Sequence, residues 1–252
     1  MMNIKDKMKT DTFSMVRKII ADSDRIVFFG GAGVSTASAI PDFRSPDGLY
    51  NQTPVGKYSQ ETMLSHHFFI QHPQEFYENL WRNMLFPDAQ PNAAHIALAK
   101  LEKQGKLRAI ITQNIDGLHQ KAGSENVIEL HGNINRFYCT GCQKAFQLND
   151  ILRFVDSVPK CDSCGAIIRP DVVLYEETLD QEELMKAVDS ISHAEVLIVG
   201  GTSLVVYPAA GLLQYYSGDK LILVNRSVTP YDQRANYVLH GDISKVLPEL
   251  IR

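Results

Sequence analysis

Arg25-Ile26-Val27-Phe28-Phe29-Gly30-Gly31-Ala32-Gly33-Val34-Ser35-Thr36-Ala37-Ser38-Ala39-Ile40-Pro41-Asp42-Phe43-Arg44-Ser45 opens as a β-branched and aromatic run, breaks into glycines and continues as a polar loop stiffened by proline. Residues 25–29 have strand character. The glycines that follow let backbone approach a pyrophosphate where a helix starts, since free N–H groups and the helix dipole favour anions there. Alone, the glycines equally fit a strand-to-helix turn with no ligand. A full dinucleotide fingerprint places a third glycine three residues after Gly33, and Thr36 stands there, so hydride-transferring Rossmann enzymes are not the natural match.

Residues 11–21 read as an amphipathic helix with Met15, Ile19 and Ile20 on one side. Short apolar runs at 107–112, 127–130, 196–200 and 221–225 read as further parallel strands, separated by helical stretches such as 93–103 and 182–190. This alternation predicts an α/β fold, a doubly wound Rossmann-like parallel sheet with its ligand residues at the carboxyl ends of the strands. Two stretches break the alternation and read as insertions forming a smaller domain, 45–90 (helical and aromatic) and 137–170. The large domain is then 1–44, 91–136 and 171–252. There is no internal repeat or low-complexity tract.

The four cysteines form two pairs, Cys139-x-x-Cys142 and Cys161-x-x-Cys164, with eighteen residues between them. Two such knuckles can bring four thiolates to the corners of a tetrahedron, the arrangement zinc prefers, and four sulfurs leave no open position, so the site would be structural. The alternative is a pair of disulfides or buried free thiols.

Of the 252 residues, 44% are hydrophobic and 21% charged, which suffices for a sizeable core. A net charge of −4 with no long Lys/Arg cluster gives no footprint for nucleic acid. The first twenty residues, with Lys5, Asp6, Lys7, Lys9 and Asp11 ahead of any apolar stretch, lack a signal-peptide core, and no run approaches membrane-spanning length. The cytoplasm is the expected compartment.

Two constellations carry candidate chemistry. His131 follows the 127–130 strand and precedes Gly132, placing an imidazole that can take a proton near neutral pH at a strand exit; a histidine there can also be structural. Gln113, Asn114 and Asp116 follow the 107–112 strand, where they can bind a carboxamide, a ribose or an ordered water, or simply cap the helix beginning near Asp116.

The loop 31–45 resembles the cofactor loop of sirtuins, the NAD-dependent protein lysine deacylases, whose usual form is GAGxSxxSGIPDFRS; only Ala39 departs, where the family normally has glycine. Three further segments match in order: Thr112-Gln113-Asn114-Ile115-Asp116-Gly117-Leu118-His119, Glu129-Leu130-His131-Gly132, and Gly201-Thr202-Ser203-Leu204 followed by Pro208-Ala209-Ala210. The chain resembles the compact prokaryotic type. The resemblance implies that NAD, consumed as a cosubstrate, and an acyl-lysine peptide enter a cleft between the sheet and a zinc and helical module. It makes His131 the general base, assisted by Asn114. Asp116 and Ile115 would bind the nicotinamide carboxamide, with Gln113 and Asn114 organising the ribose and water. Ala32, Gly33, Ser35, Thr36, Asp42, Phe43 and Arg44 would line the same pocket. Gly201, Thr202 and Ser203 would meet phosphate and ribose, and Asn225, Asp242 and Ile243 the adenosine end, although 225–227 also reads as an ordinary turn. The implied products are nicotinamide, deacetylated lysine and O-acetyl-ADP-ribose.

The segment Arg169-Pro170-Asp171-Val172-Val173-Leu174-Tyr175-Glu176-Glu177 resembles the family's RPxVVFFGE, whose backbone pairs with the substrate as an added strand. Val172, Val173, Leu174 and Tyr175 are thus the implied peptide contacts. Glu176 replaces a glycine, and its carboxylate points to a preference for basic residues flanking the acyl-lysine. Members that remove dicarboxylic acyl groups carry Tyr-x-x-Arg in the helical module, whereas Leu80 stands at the arginine position after Tyr77, with Trp81 and Arg82 close behind. A neutral acyl group such as acetyl is therefore expected. ADP-ribosyl transfer to a protein, or NAD sensing without turnover, are the alternatives.

Overall fold

Strand β1 (Ile26–Gly30) is buried along its length, and its side chains alternate between two cores. Ile26 and Phe28 enter one, Val27 and Phe29 the other, as a parallel strand covered on both faces requires. The computed structural model describes residues 4–51 and 57–252, with side chains from residue 11 onward. Beside β1 lie β2 (Leu107–Thr112), β3 (Val127–Glu129), β7 (Val196–Gly200), β8 (Leu221–Asn225) and β9 (Tyr237–His240), in the order β3-β2-β1-β7-β8-β9. All neighbours in this sheet are parallel. Chain order reverses between β1 and β7, so the loops leaving those two strand ends diverge and open a crevice.

One face is covered by α1 (Ile4–Asp22), α5 (Ala93–Lys103) and α9 (Ile243–Leu250), through Val16, Ile20, Leu98, Leu101 and Leu247. The other is covered by α8 (Gln181–Ser192) and the helical turn Ala209–Tyr215, through Ala187, Ile191, Leu212 and Leu213. The expected first helix is therefore longer than 11–21, and Met15 is 53% exposed; Val16 and Ile20, one turn apart, carry its burial. The 127–130 strand stops at Glu129, and the edge strand β9 adds an element that the apolar runs did not indicate.

The remaining elements share a third core. A three-stranded antiparallel sheet, β5-β4-β6, is built from β4 (Gly132–Cys139), β5 (Ala145–Gln147) and β6 (Ile168–Val172). Pro170 is tolerated because β6 lies at the sheet's edge. Helices α2 (Gln60–Met63), α3 (His66–Gln71) and α4 (Pro73–Asn79) pack Phe68, Phe69, Phe76 and Tyr77 against Ile134, Phe137, Phe146 and Ile168. Each buried aromatic contributes about 1.5–3 kcal/mol, so the helical segment and the small sheet hold one another together. Two further short α-helices are α6 (Leu118–Lys121) and α7 (Leu148–Ile151).

Candidate active site

The ends of β1, β2 and β7 and the first residues of β4 meet the small sheet around a cavity of about 760 Å³. Backbone approaches backbone closely between the loops after β1 and β7. The Gly33 N–H donates to the Gly201 carbonyl at 2.8 Å, and a Cβ on Gly33 would lie 2.9 Å from the Gly201 Cα. Bare glycines at both positions leave backbone facing the cavity, a cradle that a pyrophosphate fits. Ala32, Thr36, Phe43 and Arg44 line the same wall. Asp42 also lines it, but its Oδ1 accepts from the Arg44 and Ser45 N–H groups at 3.1 and 2.8 Å and so shapes the loop. The Arg44 guanidinium lies over the Tyr50 ring at 5.1 Å.

Beyond β2, three side chains form one chain of hydrogen bonds. Asn114 Nδ2 donates to Ser35 Oγ at 3.0 Å, and the Ser35 hydroxyl donates to Asp116 Oδ2 at 2.6 Å. Asp116 Oδ1 accepts from the N–H of Leu118, the first residue of α6, at 2.8 Å, while its second oxygen takes the Ser35 hydroxyl. Burial pushes the Asp116 carboxyl up, and the Ser35 and Leu118 hydrogen bonds oppose that shift. Gln113 Nε2 donates to Thr202 Oγ1 at 3.0 Å, tying the β2 loop to the β7 loop. Asn225, at the end of β8, accepts from the Thr202 N–H at 3.1 Å, so its amide holds the β7 loop as well as lining the cavity. Ile115, Gly201, Ser203 and Ile243 also line it. Asp242 does not: it caps α9 through the Ser244 N–H at 3.0 Å and pairs with Arg226 at 2.7 Å.

His131 lies between β3 and β4 and faces the cavity. Its Nδ1 is 2.9 Å from the Gln113 carbonyl oxygen. A carbonyl can only accept, so Nδ1 carries the proton and Nε2 keeps its lone pair. Burial lowers this imidazole below its ordinary value, which the bond to Gln113 partly opposes. The next residue must be glycine: Gly132 has φ +77°, and a Cβ there would lie 2.1 Å from the Asp171 carbonyl oxygen. The Val173 N–H donates to the His131 carbonyl at 3.0 Å, setting the segment 172–175 along the cavity wall.

Several lining residues had no signal in the sequence. Tyr50 hydrogen-bonds Tyr175 hydroxyl to hydroxyl, and Asn135 Nδ2 donates to the Asp116 carbonyl at 3.3 Å. The doubled Asn-x-Asn of residues 133–135 was the only available hint of the latter.

At the far end of β4 the four cysteine sulfurs all lie within 4.8 Å of one another, with Cys139 and Cys164 at 3.3 Å and Cys142 and Cys161 at 3.7 Å. None of the four is joined in a disulfide. Tetrahedral sulfurs about 2.3 Å from zinc would stand roughly 3.8 Å apart, so the set fits a closed structural zinc. The N–H groups of Gly141, Cys142 and Ser163 point at the sulfurs from 3.4 Å.

The Sir2 family model matches residues 31–208. The chain belongs to the Sir2 family. The NAD-dependent protein deacetylase of Clostridium acetobutylicum is 57% identical over 241 residues, covering 96% of this chain and 98% of that protein. A Sir2 structure with deacetylated p53 peptide and 3′-O-acetyl ADP ribose superposes with a TM-score of 0.87 at 40% identity, covering 95% of this chain and 97% of the other. A second, titled as Sir2 with p53 peptide and NAD+, gives 0.82 at 42% identity over 93% of this chain and 95% of the other. Within the Sir2 pattern, both glycine departures fall at left-handed backbone: Ala39 has φ 62° and Glu176 has φ 76°. Glu176 Oε2 accepts from the His67 N–H at 2.9 Å in the first turn of α3, so this carboxylate serves a helix end.

Proposed function

We propose that this Sir2 protein is an NAD-dependent protein lysine deacetylase that releases nicotinamide, deacetylated lysine and O-acetyl-ADP-ribose. The observation that carries the reading is the His131 imidazole, oriented by Gln113 with Nε2 free, facing one cavity together with the glycine cradle and the Asn114–Ser35–Asp116 network. The Sir2 structures with p53 peptide, NAD+ and acetyl ADP ribose support it.

NAD would be held by Gly33, Thr36, Arg44, Thr202 and Ser203, and it supplies a ribose carbon whose nicotinamide can leave. The protein's own groups do the rest. Asp116 and the Ile115 backbone orient the carboxamide, and Phe43 keeps water from the reacting centre. His131 Nε2 takes the proton from a ribose hydroxyl, and burial keeps that nitrogen unprotonated at neutral pH. The backbone at Val172, Val173, Leu174 and Tyr175 receives the peptide as an added strand. A neutral acyl group fits best. Tyr77 is fully buried, with its hydroxyl donating to the Ile168 carbonyl, Leu80 is buried, and the cavity wall that follows is Asn83, Met84, Leu85, Phe86 and Pro87, with no cation.

A cytoplasmic setting goes with four free cysteines used as thiolates; among the described residues no helix is long and apolar enough to cross a membrane. Mass spectrometry of an acetyl-lysine peptide with and without NAD tests the proposal. Equal amounts of deacetylated peptide, nicotinamide and O-acetyl-ADP-ribose are expected. Release of nicotinamide from NAD while the peptide keeps its acetyl group would overturn it in favour of ADP-ribosyl transfer.

A further inference from the structure

Arg169 is a charged side chain only 9% exposed, held in the small sheet at the start of β6, opposite Tyr138. Its Nη1 and Nη2 donate to the two oxygens of Glu177 at 2.6 and 3.0 Å, a bidentate pair between residues eight apart in sequence. The chain must double back for them to meet, and the segment enclosed by that reversal is 172–175. Both partners also bond its backbone. Arg169 Nη2 donates to the Val172 carbonyl at 2.9 Å, and Glu177 Oε2 accepts from the Leu174 N–H at 2.9 Å. Between these two ties, the Val173 N–H is taken by His131. On the outer side, Tyr175 donates to the Leu64 carbonyl and accepts from the His66 N–H, both at 3.0 Å.

A third side chain joins from the helical segment: His66 Nδ1 is 2.8 Å from Glu177 Oε1. The guanidinium lies over the Phe69 and Tyr138 rings at 5.4 and 5.6 Å. Burial alone would raise the Glu177 carboxyl, but the bonds from Arg169, the Leu174 N–H and His66 outweigh it and hold the group down to about 2. The pair is therefore ionised at any working pH. Magnitudes favour a positioning role over a stabilising one. A buried ion pair costs several kcal/mol of desolvation, and an apolar substitute of equal volume is often as stable or more so. The apolar substitute could not satisfy the Val172 carbonyl and the Leu174 N–H, which must be paired when buried.

We propose that the Arg169–Glu177 pair, with His66, is the positioning device of the substrate strand, holding 172–175 in register beside His131 and so setting affinity for the acyl-lysine peptide. This rests on the deacetylase reading for the identity of the peptide. A preformed strand pairs with an added one without the ordering cost that a loose loop would impose. Neither residue touches the cradle at Gly33 and Gly201, so NAD affinity should be indifferent to the pair.

The test uses the full chain with its zinc. Peptide affinity is read by anisotropy of a fluorescein-labelled acetyl-lysine peptide, and NAD affinity by calorimetry. Steady-state kinetics, zinc content and thermal unfolding are measured for wild type, Arg169→Lys, Glu177→Asp and His66→Gln. The first two keep both charges but cannot reproduce the fork and the backbone ties; His66 lies at the surface, and its replacement leaves the pair in place. Arg169→Lys and Glu177→Asp are expected to weaken peptide binding, and raise the peptide KM, about tenfold or more, with NAD affinity and kcat changed by no more than about two- to threefold. His66→Gln should weaken peptide binding about twofold to threefold. Unchanged peptide affinity in folded, zinc-replete variants, or peptide and NAD affinities falling in parallel, would overturn the proposal. A wild type that binds the peptide yet leaves it acetylated would contradict the deacetylase reading, while the binding measurements would still decide the role of the pair.

Discussion

The Nδ1 of His131 sits 2.9 Å from the backbone oxygen of Gln113, so the residue that opens the polar segment after β2 fixes the tautomer of the imidazole after β3. Because the acceptor is main chain, side-chain substitution at position 113 leaves this orientation in place.

One consequence is a pH profile. Burial lowers the His131 imidazole, so its neutral form persists below the usual histidine value of about 6.5. The acid limb of kcat/KM for deacetylation is expected below pH 6.5. An acid limb above that value, assigned to a group lost in His131→Asn, would contradict it.

A second pH effect concerns stability. His95 and His119 are fully buried with ring centroids 4.7 Å apart, and His95 Nε2 and both His119 nitrogens have no hydrogen-bond partner among the described residues. Burial holds His95 down to about 4 and His119 to about 3, with His95 adding to the effect on His119. In the unfolded chain each takes a proton near pH 6.5. Their contribution is therefore complete above that pH and is lost as pH falls toward 4, on the order of 3 kcal/mol for each histidine. Urea unfolding of wild type and His119→Leu at pH 7 and pH 4.5 checks this; the variant should lose less stability on acidification, and an equal loss would count against it.

Ala39 occupies left-handed backbone at φ 62°. Relief of that strain is worth roughly 1–2 kcal/mol, against up to about 1 kcal/mol of added chain entropy in the unfolded state. Ala39→Gly should therefore gain up to about 1 kcal/mol in denaturant unfolding. A clear loss would mean that the methyl group makes contacts outweighing the strain.

Zinc should be present at one per chain, held by Cys139, Cys142, Cys161 and Cys164. Cys139 ends β4, and Tyr138 beside it packs on Arg169, so losing the metal loosens the sheet that carries the substrate strand. Chelation or Cys139→Ser is expected to remove several kcal/mol and lower Tm by roughly 10 °C or more, with activity falling alongside. Full activity in a metal-free variant would contradict a structural zinc.

Much of this was legible before any coordinates. Phe28 and Phe29 enter opposite cores, and a short, uniformly apolar strand followed by glycines announces that arrangement. The cysteine spacing likewise specifies its own geometry. The small sheet was not legible, because β4 mixes Asn133, Asn135 and Arg136 with apolar residues and β6 carries Pro170, so neither shows a clean period. Met15 was misplaced because an apolar residue beside Val16 shares no face with Ile20. Asp242 stands next to the cavity in sequence but caps α9 instead. Tyr50 and the Arg169–Glu177 pair act through non-local contacts that no periodicity encodes.

The proposed deacetylation depends above all on His131 Nε2 acting as its base. Its most direct test is the deacetylation rate of His131→Ala on an acetyl-lysine peptide with NAD, alongside thermal unfolding and NAD binding. A loss of about 10²- to 10⁴-fold in rate, with unfolding and NAD affinity close to wild type, is predicted. A rate within a few-fold of wild type would contradict the account.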